Sequence, residues 1–365
     1  MRGSLSWIIA IATLSVGTPC AQNIACTWQE TLEFAAARPF VPCALSAANS
    51  QGAAKEIVWQ RDPLAHFKST FITVEKEVKL QVIDWGGLGR PLVFLAGLGA
   101  DAHAFDKFAP ELTATYHVYG ITRRGFGASS HPAPIDGNYS ADRLGDDVLA
   151  VVDALKLSRP VLVGHSIAGE ELSSIGSRYP DKVAGLIYLE AGYSYAYYDS
   201  SRGDLVLDSL ELRKKLEQLI PGAGPQDQKQ LLEELLQTSL PQFERDLRDQ
   251  QKALLSIPAL PQSGGLSSIT FQAVFAGEQK YTDIRAPILA IFAVPHHFPI
   301  FQNDPAARAA AEAIDVAHSG AQARAFESGL PSAHVVRIPN AEHWIFRSNE
   351  ADVLREMNAF LSSLP

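Results

Sequence analysis

The segment Val161-Leu162-Val163-Gly164-His165-Ser166-Ile167-Ala168-Gly169 concentrates the residue types best suited to chemistry. A short apolar run ends in Gly-His-Ser, and small residues then open a helical pattern. In a strand–sharp turn–helix unit, one serine oxygen is lifted out of the fold on a strained backbone. The first amides of the helix turn toward whatever that oxygen attacks. The spacing is that of a nucleophile elbow with one departure. The usual Gly-x-Ser-x-Gly closes here on Ala168, and Gly169 follows at once. Alanine is still small enough for close helix–sheet approach. A serine hydroxyl is a weak nucleophile alone, so the chemistry requires a base from elsewhere in the chain.

Such a turn needs a sheet to hold it. Phe71–Glu75 and Val78–Trp85 read as an antiparallel pair, and Leu92–Ala96, His117–Ile121, Val161–Val163, Gly185–Leu189, Ile288–Ala293 and Val335–Ile338 as further strands. Tyr139 to Leu157 has helical spacing, with Leu144, Val148, Val151, Val152 and Leu155 on one side, and the last helix carries Val353, Met357, Phe360 and Leu361. Eight strands, the later ones alternating with helices, imply a mostly parallel sheet covered on both faces. Ligands bind such sheets beyond the carboxyl ends of the strands, where Ser166 falls. Between Glu190 and Asp283 the strand pattern stops. Helical segments at Asp204–Leu219, Asp227–Leu240 and Phe243–Leu254 are punctuated by prolines, with a stripe at Leu231, Leu232 and Leu235. This insertion is expected to be a lid.

The bulk composition sets outer limits. With 365 residues and 47% apolar content the chain can bury a large core, and its net charge of −9 argues against a nucleic-acid footprint. Arg2 followed by the apolar run Trp7 to Val16 and small residues around Ala21 reads as an export signal at 1–21. That run is too short to span a bilayer, so no stable membrane insertion is expected. Cys26 and Cys43 would remain in a lead-in at 22–67, and an oxidising compartment favours a disulfide between them. The expected location is secreted or periplasmic.

Four segments, in order, resemble the α/β-hydrolase superfamily over residues 68 to 364: Phe94-Leu95-Ala96-Gly97-Leu98-Gly99, Arg124-Gly125-Phe126-Gly127-Ala128-Ser129, the elbow, and Asn340-Ala341-Glu342-His343-Trp344. The resemblance implies an α/β-hydrolase fold. Its core would be 68–190 with 284–365, and a helical cap at 191–283 would follow the sixth of the eight strands. It implies Ser166 as nucleophile, His343 as base, and the backbone N–H groups of Leu98 and Ile167 as the oxyanion hole. Ala96 stands where the family often has histidine, which removes a side-chain support for that loop. His165 is expected to point away from the site. The acid stays open between two residues. Glu190 ends an apolar strand and would be costly there unpaired. Asp304, before Pro305 and an Ala-rich stretch, reads equally as a helix N-cap.

Around these, Tyr193, Tyr195, Phe298 and Trp344 could line an apolar pocket or simply pack the lid. Glu170 and Glu171 read as structural or pocket-lining. His296 and His297 lack further donors at ligand spacing, so neither a metal nor any other cofactor is expected. The resemblance implies a serine hydrolase acting on a small-molecule ester or lactone, and the N-terminal signal adds the expectation of export. The alternatives are an aminopeptidase resembling proline iminopeptidases, with a lid carboxylate such as Glu233 or Glu234 holding an ammonium, or a non-catalytic binder on the same scaffold. Dehalogenases and ester-intermediate epoxide hydrolases of this fold use an aspartate nucleophile, which Ser166 disfavours. Oligomeric state is left open.

Overall fold

The structure, a computed structural model, describes residues 57–61, 67–135, 137–220, 227–256 and 268–365. The expected export signal, the lead-in before residue 57 and the Cys26–Cys43 pairing lie outside the described residues. The strands are β1 (Gln60–Arg61), β2 (Lys68–Glu75), β3 (Val78–Gly86), β4 (Pro91–Leu95), β5 (His117–Ile121), β6 (Val161–His165), β7 (Gly185–Leu189), β8 (Ile288–Ala293) and β9 (Ala333–Ile338). All eight strands read from the sequence are present. The addition is β1, two residues paired with Ser69 and Lys68, too short to leave an apolar pattern.

The strands form one sheet in the order β1-β2-β3-β5-β4-β6-β7-β8-β9. Pairing is antiparallel as far as β3·β5 and parallel from β5 through β9. Strands buried on both faces carry unbroken apolar runs, and the alternation sorts them. Val161, Val163, Ile187 and Leu189 join one core cluster, while Leu162, Leu186 and Tyr188 join the other. Helices α1 (Ala141–Ala154) and α2 (Gly169–Arg178) cover the second face, through Leu144, Val148, Leu172 and Ile175. The first face is closed by Phe105, Phe108, Phe346 and the Val353, Met357 and Phe360 stripe of the C-terminal helix Glu350–Ser363.

Between β7 and β8 the chain makes a helical excursion of α3 (Leu205–Glu217), α4 (Gln228–Glu234), α5 (Leu240–Ser256) and α6 (Ile269–Ala276). Leu212, Leu231 and Leu235 form a small core of its own, with Leu219 and Phe243 against it. Helix α7 (Pro305–Gly329) follows β8, then α8 (Ile345–Ser348) and α9 (Glu350–Ser363) follow β9. Among the described residues no helix is long and apolar enough to cross a membrane.

Candidate active site

Ser166 follows β6 directly, at φ 54°. Non-glycine residues in the left-handed region cost roughly 1–3 kcal/mol and persist where the surroundings over-determine them. Here small residues do that. A Cβ on Gly97 would lie 3.1 Å from the Ser166 Cβ, and one on Gly164 2.9 Å from Leu172. Gly169 is tighter still, with the Ala191 carbonyl oxygen 2.0 Å from where a Cβ would sit. Thus Gly169, one position late, supplies the close approach that the usual pattern assigns to the place of Ala168, itself wholly buried.

Parallel pairing of β6, β7, β8 and β9 brings the loops at their carboxyl ends side by side. His343, after β9, places Nε2 3.0 Å from the Ser166 hydroxyl, which donates to it. Its Nδ1–H donates to Glu190 Oε2 at 3.3 Å. Glu190, after β7, is wholly buried and also sits at positive φ, 51°. It accepts from the Tyr193 hydroxyl at 2.9 and 2.8 Å, from the Ala293 amide at 2.6 Å, and from His296 Nε2 at 2.9 Å. Asp304 instead accepts from the Ala307 amide at 2.9 Å, capping α7.

His296 was not legible as a site residue. It lies between two carboxylates, Glu190 and Asp315, with Nδ1 3.0 Å from Asp315 Oδ2. Burial alone would lower its pKa, but the Glu190 charge and hydrogen bonds to both acids raise it to about 10. Likewise, burial would raise Glu190, and the charge and hydrogen bond of His296, then those of His343, bring it down to about 2. Glu190, His296 and His343 have ligand atoms close enough to surround one ion. In the structure the three side chains are joined by hydrogen bonds that meet at Glu190 Oε2.

The expectation that His165 points away is corrected. Its ring packs 4.8 Å from that of His343, and Nε2–H donates to the His343 carbonyl at 2.9 Å. Burial, then the His343 charge, lowers its pKa to about 3, so it is a neutral prop for the loop bearing the base. Trp344 stacks on His165 at 4.6 Å. Tyr193 donates to both oxygens of Glu190, and its ring packs 6.1 Å from that of Tyr195, which is also buried. Phe298 is half-buried at the turn Pro299–Phe301.

The loop carrying Leu98 runs against Ser166 through Gly97, and Ile167 follows the serine. Support missing at Ala96 comes from Arg123, which donates to the Ala96 carbonyl at 3.1 Å and holds Glu171 through Nε and Nη2 at 2.6 and 3.1 Å. Glu233 and Glu234 are exposed, and Glu234 pairs with Lys215 at 2.7 Å.

A sheet of this order with a serine elbow defines a class, and the sequence agrees: the alpha/beta hydrolase fold family matches residues 90–350, so the chain belongs to it. It is 33% identical over 113 residues to a 2-hydroxymuconate semialdehyde hydrolase of Pseudomonas sp. strain CF600, covering 30% of this chain and 39% of that protein. It is 31% identical over 121 residues to 3-oxoadipate enol-lactonase 2 of Acinetobacter baylyi, covering 33% and 43%. These matches span about two-fifths of the relatives' length. Among solved structures, E-2-(acetamidomethylene)succinate hydrolase aligns with a TM-score of 0.51 at 21% identity, over 82% of this chain and 100% of that one. A hydrolase from Pseudomonas aeruginosa PA01 aligns with a TM-score of 0.51 at 18% identity, over 81% and 98%. Both likenesses speak to the fold.

Proposed function

We propose that the protein is an exported serine hydrolase that cleaves a small carboxylic ester or lactone through an acyl-enzyme on Ser166. The observation that carries this is the unbroken hydrogen-bonded chain Ser166–His343–Glu190. In this reading His343 Nε2 takes the Ser166 proton as the oxygen attacks the carbonyl carbon. The backbone N–H groups of Leu98 and Ile167 hold the tetrahedral oxyanion. The imidazolium passes its proton to the leaving alcohol, and water then cleaves the acyl-enzyme by the same route. Glu190 fixes the tautomer and orientation of His343. The helices from α3 to α6 serve as lid, and the apolar run after Arg2 supports export. An ester or lactone asks least of such a site, and the likeness to an enol-lactonase supports the choice.

The test is labelling of the purified protein with a fluorophosphonate, alongside turnover of p-nitrophenyl esters and lactones. Ser166→Ala and His343→Ala are expected to lose labelling and to lower kcat by roughly 10⁴-fold or more. Glu190→Gln is expected to lower kcat by roughly 10²–10⁴-fold. Asp304→Asn is expected to leave turnover near wild type, because Asn caps a helix as well as Asp. Folded wild-type protein that does not label would favour the non-catalytic reading. A crippled Asp304→Asn beside an active Glu190→Gln would overturn the acid.

A further inference from the structure

We propose that Arg123, held by Glu171, is a positioning residue that fixes the oxyanion hole by tying the loop that bears the Leu98 amide to the helix entered at the Ile167 amide. The two amides come from separate parts of the chain, one after β4 and one between β6 and α2. Something that touches both parts must therefore set the distance between them. Arg123 lies just past β5, and the parallel pairing of β4 with β5 and with β6 brings the three strand ends together. Its Nη2 carries two hydrogens and donates at 3.1 Å both to the Ala96 carbonyl and to Glu171 Oε2. Its Nε donates to Glu171 Oε1 at 2.6 Å. Ala96 stands just past the ladder of β4, which ends at Leu95, and two residues before Leu98. Glu171 is in the first turn of α2. A planar guanidinium holds all three bonds in one geometry, which the point charge of a lysine does not.

The far end of the loop is held from the same side. A Cβ on Gly97 would meet His165 and Ser166, the Ala100 amide donates to the Gly97 carbonyl at 3.2 Å, and Phe271 of α6 lies against Gly99. The Phe126 ring centre is 5.7 Å from that of Phe271 and 5.8 Å from the Arg123 guanidinium carbon, so Phe126 links the two ends of the clasp. Stability alone does not call for this pair. Arg123 and Glu171 are both buried, and Arg123 Nη1 is a buried donor without a partner. Desolvating two charges offsets much of their attraction, and apolar residues of similar volume often serve as well or better. The unmade bond at Nη1 adds to the cost. What the pair supplies is registry between two backbone donors, and a misplacement of about 1 Å at a reacting centre can cost about 10²-fold in rate.

The catalytic consequence rests on the serine-hydrolase reading, and the experiment keeps the two apart. Wild type is compared with Arg123→Lys and with the double variant Arg123→Met/Glu171→Leu. The readouts are kcat and KM for p-nitrophenyl butyrate, the rate and extent of fluorophosphonate labelling, inhibition by propylboronic acid, and the melting temperature. The boronate adduct of Ser166 would place an oxygen where the oxyanion forms. Both variants are expected to lose ~10–10²-fold in kcat, in labelling rate and in boronate affinity, with KM within about threefold of wild type. The double variant is expected to do so while melting at or above wild type. A merely structural role would lower the fraction of protein that labels and leave the labelling rate and boronate affinity of that fraction unchanged, which overturns the positioning role. A loss that falls on KM alone, or the failure of both variants to fold, overturns it as well. Wild type that labels, with variants that match it, removes only the role of Arg123. Wild type that neither labels nor hydrolyses ester removes the hydrolase reading and this role with it.

Discussion

At the scale of single residues, one oxygen carries an unusual load. Glu190 Oε2 accepts from both His343 and His296, at 3.3 and 2.9 Å. The second histidine is held protonated by its two acids, so the carboxylate that orients His343 is already partly neutralised. An opposite charge nearby stabilises a charged imidazole, and a shared, compensated one does so less. His296 thus shares the carboxylate that holds the His343 ring, which makes it a candidate positioning residue. In His296→Gln the Glu190 charge falls wholly on His343, and the acid limb of the kcat/KM–pH profile is expected to move up by about one pH unit. A purely structural role would lower kcat without moving that limb. Stability should carry the same signature. The folded His296 pKa of about 10 exceeds the ordinary histidine value of 6.5. Its contribution is therefore complete below pH 6.5 and lost as pH rises through 10. The melting-temperature gap between wild type and His296→Gln is expected to shrink across that window.

At the scale of elements, the elbow depends on how closely α2 can approach the loop after β7. Gly169 permits the Ala191 carbonyl to sit where a Cβ would be. Gly169→Ala is expected to destabilise by about 1–3 kcal/mol and to depress turnover as Ser166 is displaced, both readable by denaturant melts and ester assays. Unchanged stability would refute the packing argument. The same elements show what the chain alone disclosed. Ser166 and His343 were legible because each belongs to a local signature, and Glu190 because a carboxyl ending the apolar run 185–189 demands partners. His296 and Asp315 were not, since their meeting depends on α7 packing back against the loop after β8, a contact that no spacing encodes. The outward orientation expected of His165 failed because the turn at Ser166 swings its ring under His343. Helix α6 went unread because Ile269–Ala276 is apolar on nearly every side and so shows no period.

At the scale of the whole molecule, the sheet holds the Ser166–His343–Glu190 chain, and the insertion packs onto the loop after β4. Tyr195 and Glu278 sit at its two ends, and Phe271 of α6 lies 3.0 Å from where a Cβ on Gly99 would be. The insertion must then keep its own shape for the site to keep its own. Asp208 on α3 is the hub: it accepts from Tyr198 at 2.8 Å, from Lys280 at 2.5 Å and from the Asp204 amide at 2.9 Å. Asp246 on α5 faces it. Burial and the hydrogen bond and charge of Asp208 raise the Asp246 carboxyl to about 7. Below that pH the protonated Asp246 carboxyl is able to donate toward Asp208 between α5 and α3. Because the folded pKa exceeds the ordinary aspartate value of 3.8, this contribution is whole below pH 3.8 and gone once pH passes 7. Asn at 246 keeps a donor toward Asp208 at every pH. Asp246→Asn is expected to melt with wild type at pH 4 and roughly 2–4 °C above it at pH 8, the shift that about 1 kcal/mol gives in larger domains. A variant that melts below wild type at pH 8, or gains equally at both pH values, would show that no shared proton joins these helices.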